Sequence, residues 1–168
     1  MQYPILDACC GSKMFYFDKD DKRILFNDIR EVDEELSDRR LVIQPGTQYD
    51  FRSLPFKSGS FKLVIFDPPH LIKAGRNSWL AKKYGTLPND WQEYIKAGFE
   101  ECWRCLDSGG HFGMKWSTCQ ISAGDVLSAI GHMPILGDKR ATVAGLFLQG
   151  LRRSKSMLID DLRDVAGE

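Results

Sequence analysis

The stretch Leu63-Val64-Ile65-Phe66-Asp67-Pro68-Pro69-His70 constrains the chain more than any other. Its four apolar residues have the length and β-branched content of a buried parallel strand. The prolines end that strand, because neither donates to a ladder and each fixes its own φ. A carboxylate, a stiff turn and an imidazole therefore sit at the carboxyl end of a central strand. In open α/β sheets ligands bind at such ends. Asp67 offers an acceptor oxygen, and Pro68 keeps its carbonyl while lacking an N–H. Two rigid acceptors suit an NH2 group whose lone pair must face an electrophile, and His70 presents a flat face to a base. The plainer alternative for this stretch alone is a strand-ending turn with a surface histidine.

The segments before it repeat the pattern of a short apolar run ending in an acid. Ile5-Leu6-Asp7 runs into the small residues Ala8-Cys9-Cys10-Gly11-Ser12. Small side chains let a ligand approach the backbone, Gly11 tolerates φ > 0, and free N–H groups there would favour an anion. Asp7 is placed to accept from a ligand's ammonium. Ile24-Leu25-Phe26 ends in Asn27-Asp28-Ile29-Arg30, which puts an acid where ribose hydroxyls are held, some twenty residues past the glycine turn. The intervening Met14-Phe15-Tyr16-Phe17 is expected in the core, with the lining of a pocket as the alternative. The crossover leaves room for a helix of a turn or two. Charged residues 31–40 are expected as a solvated turn or short helix face, with Leu41-Val42-Ile43 as a small extra strand. Asp50 and Phe51 offer an acceptor and a ring for a purine.

These segments, Asp7-x-Cys9-Cys10-Gly11-Ser12, Asn27-Asp28-Ile29-Arg30, Asp50-Phe51-Arg52-x-Leu54-Pro55-Phe56, Phe61-Lys62-Leu63-Val64 and Asp67-Pro68-Pro69-His70, follow one another in a characteristic order. Over residues 4 to 120 the chain resembles class I S-adenosylmethionine (SAM) dependent methyltransferases. It is most similar to the compact prophage-type DNA (adenine) methyltransferases with an Asp-Pro-Pro-aromatic motif, with His70 where tyrosine or phenylalanine is more usual. The resemblance implies an α/β, Rossmann-like fold: a mostly parallel central sheet with helices on both faces. It implies SAM as cofactor, held by Asp7, Cys9, Cys10, Gly11, Asp28, Ile29, Asp50, Phe51 and Asp67. It implies methyl transfer to an exocyclic amino group, foremost adenine in DNA, at Asp67, Pro68, Pro69 and His70. RNA, protein and small-molecule amines are alternative acceptors, and a non-catalytic SAM-binding subunit is the rival of another class. A duplex substrate would need its base flipped out.

Residues 71–85 interleave cations with aromatics directly after the turn. Lys73, Arg76, Trp79, Lys82, Lys83 and Tyr84 are candidates for contact with a nucleic acid, on a mobile lid or a solvated helix. Asp90 to Leu106 carries a helical stripe, Asp107-Ser108-Gly109-Gly110 is expected to end that helix, and His111 to Trp116 reads as a further strand. Lys115 and Trp116 at its end are further substrate candidates, Trp116 equally a core residue. Residues 122–132 read as a helix and 142–149 as a closing strand. Residues 1–150 form the expected methyltransferase domain, and 151–168 a basic, helical tail.

Hydrophobic residues make up 43% of the 168 and charged residues 27%, the balance of an ordinary globular protein. The formal net charge is zero, so any nucleic acid must be drawn by a local basic surface. DNA stands ahead of RNA as the acceptor. The chain is too short for a separate sequence-reading domain, which leaves loose specificity, a single-stranded substrate or a sequence-reading partner, and a homodimer is a further expectation. Five cysteines, an odd number, suit reduced thiols and a cytoplasmic location. The N-terminus lacks the pattern of a secretion signal. Cys102-x-x-Cys105 lies inside the helical stripe without a knuckle, so no metal is expected.

Overall fold

The computed structural model describes residues 3–35, 39–75, 78–135 and 146–151. The chain order is β1 (Ile5–Asp7), β2 (Ile24–Phe26), β3 (Val32–Glu35), β4 (Arg40–Ile43), β5 (Phe61–Phe66), α1 (Trp79–Tyr84), α2 (Trp91–Cys105), β6 (Leu106–Trp116), α3 (Ala123–Ile130) and β7 (Leu146–Leu151). The main sheet has the order β2-β1-β5-β6-β7, and β3 with β4 forms a separate pair. Strands β2, β1, β5 and β6 are parallel, and β7 joins β6 antiparallel.

Register decides what reaches the carboxyl edge. Asp7 lies beside Phe26 on one flank and Ile65 on the other. Asp28 and Asp67 therefore each follow two residues beyond the level of Asp7. Phe66 lies beside Met114, which sets Lys115 level with Asp67. The edge thus carries Asp28, Asp7, Asp67 and Lys115 in strand order.

One face of the sheet holds the main core. Leu6, Val64, Phe66, Phe112 and Met114 alternate inward and meet the Ile95, Gly98, Phe99, Cys102 and Cys105 stripe of α2. Val126 and Ile130 of α3 join the same core. Cys102 and Cys105 are both fully buried there, as apolar filling. Gly98 is required by close approach: a Cβ would lie 2.5 Å from the Phe51 ring and 2.9 Å from Phe66 Cζ.

Three local expectations are corrected. Residues 8–23 form turns with no helix, and at the β1–β2 end their Cys10 and Tyr16 cover the second sheet face, against Ile24 and Phe26. A run as charged as Asp18-Lys19-Asp20-Asp21-Lys22 has no apolar stripe with which to dock a helix. Val32–Glu35 forms a strand rather than a turn or helix face and pairs antiparallel with Arg40–Ile43, where the small extra strand was expected; Leu41 and Ile43 bury one side and Arg40 pairs with Asp33 on the other. Asp107 to Gly110 belongs to β6 instead of ending the helix. There the ladder jumps from Phe61–Leu106 to Leu63–His111, and Gly109 takes φ +76° in the irregularity. The expected closing strand is present at Leu146–Leu151, while residues 142–145 of that expectation and the tail beyond Leu151 fall outside the described residues. Among the described residues no helix is long and apolar enough to cross a membrane.

Gly98→Ala is expected to destabilise the fold by about 1–3 kcal/mol, the usual range for overpacking a core. A lower urea midpoint with unchanged m-value checks this. An unchanged midpoint would show that the Phe51 and Phe66 rings yield freely.

Candidate functional site

Asn27, directly after β2, is wholly buried and ties the edge together. Its amide donates to the carbonyls of Ala8 and Tyr49 at 2.9 Å each, and its oxygen accepts from Thr47 Oγ1 and the Tyr49 N–H at 3.0 Å. With every bond satisfied, it fixes the turn that carries Asp28. Asp28 in turn accepts from the Gly11 N–H at 2.9 Å and is gripped by Arg30 at 3.0 and 3.1 Å. The acid foreseen as a ribose ligand is therefore buried and already engaged.

The grip follows a rule that the sequence repeats. In Asp21-x-Arg23, Asp28-x-Arg30 and Asp50-x-Arg52 the carboxylate takes the backbone N–H and Nε of the arginine two residues on, at 2.9–3.0 Å. This is an Asx turn with a guanidinium fork added. The Asp-x-Arg spacing was the signal for Arg30, which sequence reasoning left without a role. It also explains Asp50, which faces Arg52 rather than an open pocket.

Asp7 is buried, accepting from the Cys9 N–H at 3.2 Å and from Tyr16 Oη at 2.8 Å. Among the described residues it has no cationic partner within ion-pair distance. Burial, aided by the charges of Asp67 and Asp28, pushes its carboxyl up to about 7 despite those two donors. Tyr16, expected in the core, packs its ring on Phe26 with centroids 4.9 Å apart and also turns its hydroxyl to Asp7. Asp67 has its cation in Lys115, with Nζ 3.2 Å from Oδ2. Burial raises the Asp67 carboxyl, and Lys115 opposes that rise. His70 is buried beside Tyr84, with ring centroids 5.3 Å apart. Burial, then the Lys115 charge, lowers the imidazole, while the adjacent Pro68 carbonyl acts the other way.

These groups surround a cavity of about 230 Å³. Asp7, Cys9, Cys10, Gly11, Asp67, Pro68 and His70 line it, as do Lys83, Tyr84 and Lys115 from the proposed substrate set. Ser12, Met14, Phe15 and Arg30 line it as well. Met14 and Phe15 are exposed and Phe17 fully so, which corrects the core placement of those three while Tyr16 keeps it. The loop N–H groups are not free for an anion: Cys9 bonds Asp7, Cys10 bonds the Asn27 carbonyl and Gly11 bonds Asp28.

Other candidates lie off the cavity. Phe51 is buried between Phe66 and Tyr94, with centroids 5.2 Å from each, so its ring does not face a ligand. Ile29 is exposed. Trp116 is core, its Nε1 bonded to the Ile121 carbonyl. Pro69 packs near Gly85 rather than lining the cavity. Lys73 is exposed, its backbone clasped by Gln120, and Arg76 falls outside the described residues.

The segment 78–85 is docked rather than loose. Ser78 caps α1, Arg30 Nη1 donates to the carbonyls of Lys82 and Lys83 at 3.2 and 3.3 Å, and Lys82 pairs with Glu34. No residue of α1 is buried. Trp79 lies outside the cavity, with Arg39 and Lys83 over its ring at 4.9 and 5.3 Å. Polar contacts and the Tyr84 ring against His70 hold α1 beside a cavity smaller than the roughly 300–1,000 Å³ that buries a drug-sized ligand.

No protein-family model and no curated protein matches the chain. Solved structures similar to it include the PH0226 protein from Pyrococcus horikoshii OT3, at 15% identity over 90% of this chain and 83% of that one, with a TM-score of 0.56. The cyclase SpnF is also similar, at 15% identity over 76% and 48% of the two chains, with a TM-score of 0.40. At such identities the likeness concerns the fold. The chain has an α/β, Rossmann-like fold with a mostly parallel central sheet. The loop of residues 8–17 and the Asp67 to His70 turn lie at the carboxyl edge of that fold.

Asp7 gives a pH dependence with a definite sign. Its folded carboxyl, at about 7, lies above the ordinary 3.8, so the folded state binds more protons between those values. Stability is expected to fall as pH rises from about 4 to about 7. In Asp7→Asn that fall should flatten, as read by melting temperature against pH. An identical slope in the variant contradicts the assignment.

Proposed function

We propose that this protein is a SAM-dependent N-methyltransferase acting on an exocyclic amino group, foremost adenine in DNA. The observation that carries the reading is the row of Asp28, Asp7 and Asp67 on one edge, with Asp67 and Pro68 facing the same cavity as the Cys9 to Gly11 loop. Three carboxylates there meet only two cations, Arg30 and Lys115, among the described residues. A ligand with a positive centre completes the balance. Gly11 has open space where a Cβ would stand, which leaves room for close approach.

Bound SAM would supply a methyl group on a positively charged sulfur. Asp28 would hold its ribose hydroxyls, exchanging its bonds to Arg30 for them. Asp7 would face its ammonium or sulfonium. Asp67 and the Pro68 carbonyl would accept from the acceptor NH2 and aim its lone pair along the transfer axis. His70, Tyr84 and Phe15 offer three rings around a flat acceptor. No strong general base is required, since the proton leaves after the nitrogen has become cationic. Lys83 on the cavity wall and Trp79 beside it are the contacts nearest an acceptor's backbone, if that acceptor is a polynucleotide.

Isotope-labelled SAM with unmethylated DNA, single strands and RNA at stated salt tests the reading. Label in adenine is expected from the wild type. Asp67→Ala should lower transfer by about a hundredfold or more while SAM affinity holds. Asp28→Ala should weaken SAM binding by about tenfold or more, as loss of charge-assisted bonds does. Bound SAM without transfer to any amine favours a non-catalytic subunit. Failure to bind SAM removes the reading altogether.

A further inference from the structure

The reaction proposed above gives Lys115 no part, yet the fold delivers it with care. It is the penultimate residue of β6, and the pairing of Phe66 with Met114 sets it level with Asp67. The next residue, Trp116, is wholly buried and bonded through Nε1 to the Ile121 carbonyl, so the Lys115 backbone cannot drift. The ammonium lies 3.2 Å from Asp67 Oδ2 and 4.4 Å from the centre of the Phe15 ring. Its side chain is 26% exposed, so water screens the pair only in part.

The charged and titratable groups around Asp67 come from each neighbouring element. Asp7 stands at the end of β1, Cys9 on the loop beyond it, His70 on the same turn and Lys115 at the end of β6. Burial favours a proton on Asp67, and Lys115 is the cation that opposes it. A protonated Asp67 would carry an O–H, a donor aimed at the very lone pair that must attack. The same cation disfavours charge on His70, which a ring stacked near a positive methyl donor must not carry.

We propose that Lys115 is a positioning residue of the transfer site, whose ammonium, set between the Phe15 ring and Asp67, keeps Asp67 ionised and aimed at the acceptor amine and keeps His70 neutral. This rests on the methyl-transfer reading but has a readout of its own. The experiment uses the full chain with aspartate labelled at the carboxyl carbon, as wild type, Lys115→Met, Lys115→Gln and Lys115→Arg. Carboxyl titration by NMR is run beside the pH profile of single-turnover transfer.

In Lys115→Met the Asp67 midpoint is expected to rise by about one to three pH units, the effect of removing an opposite charge at this range. The acid limb of the rate should rise by the same amount, transfer should recover at alkaline pH, and SAM affinity should stay unchanged. Lys115→Arg should track the wild type. Lys115→Gln carries the same comparison if the methionine variant does not fold. An unmoved Asp67 midpoint in the neutral variants overturns the proposal, as does a loss of rate that alkaline pH does not recover. A wild type that titrates as expected yet methylates nothing overturns the methyl-transfer reading instead.

Discussion

Parallel hydrogen bonding of β2, β1, β5 and β6 in one register is the constraint on which the remaining structure depends. A parallel sheet sends its strand ends to one side, and here each end carries a polar residue: Asp28, Asp7, Asp67 and Lys115. A slip of β5 by one residue against β1 and β6 would turn the Asp67 side chain to the other face and part it from Lys115. The core enforces the register, since Leu6, Val64, Phe66 and Met114 must all meet α2 on the same side. Packing on one face thus determines electrostatics at the edge.

That edge is held in tension between burial and charge. Asp28 and Asp67 are each matched by a cation, while Asp7 relies on a hydroxyl and one N–H. The result is a buried carboxyl poised near neutrality, at about 7, facing a cavity. Such a group is costly to keep without a function, and perturbed groups in clefts mark sites for that reason. Arg30 links this edge to α1, because one guanidinium serves both Asp28 and the last carbonyls of the helix. A ligand that claims Asp28 therefore disturbs the cover over the cavity.

Much of this was legible in the sequence wherever the cause is local. The apolar run into Asp67-Pro68-Pro69 marks a strand end because proline chemistry acts within one or two residues. The stripe of α2 and the helix expected from residue 122 are local in the same sense. Phe51 was misread because its neighbours in the chain resemble a ligand site, whereas its burial comes from Gly98 and Phe66, far away in sequence. Met14, Phe15 and Phe17 were misread for the opposite reason. An aromatic cluster suggests core, but residues 8–23 run in turns that lay Tyr16 on Phe26 and leave those three exposed. The Gly109 irregularity in β6 was hidden because two glycines after a helix read equally well as its end.

A crystal structure of the protein with S-adenosylhomocysteine is the most direct measurement. The expected result is a ligand along the carboxyl edge, with ribose hydroxyls on Asp28, the amino-acid end against the Cys9 to Gly11 loop and the sulfur facing Asp67. The α1 segment should have moved relative to Arg30. A ligand seated away from these strand ends, or none at saturating concentration, would contradict the central claim that the aligned carboxylates form a cofactor site.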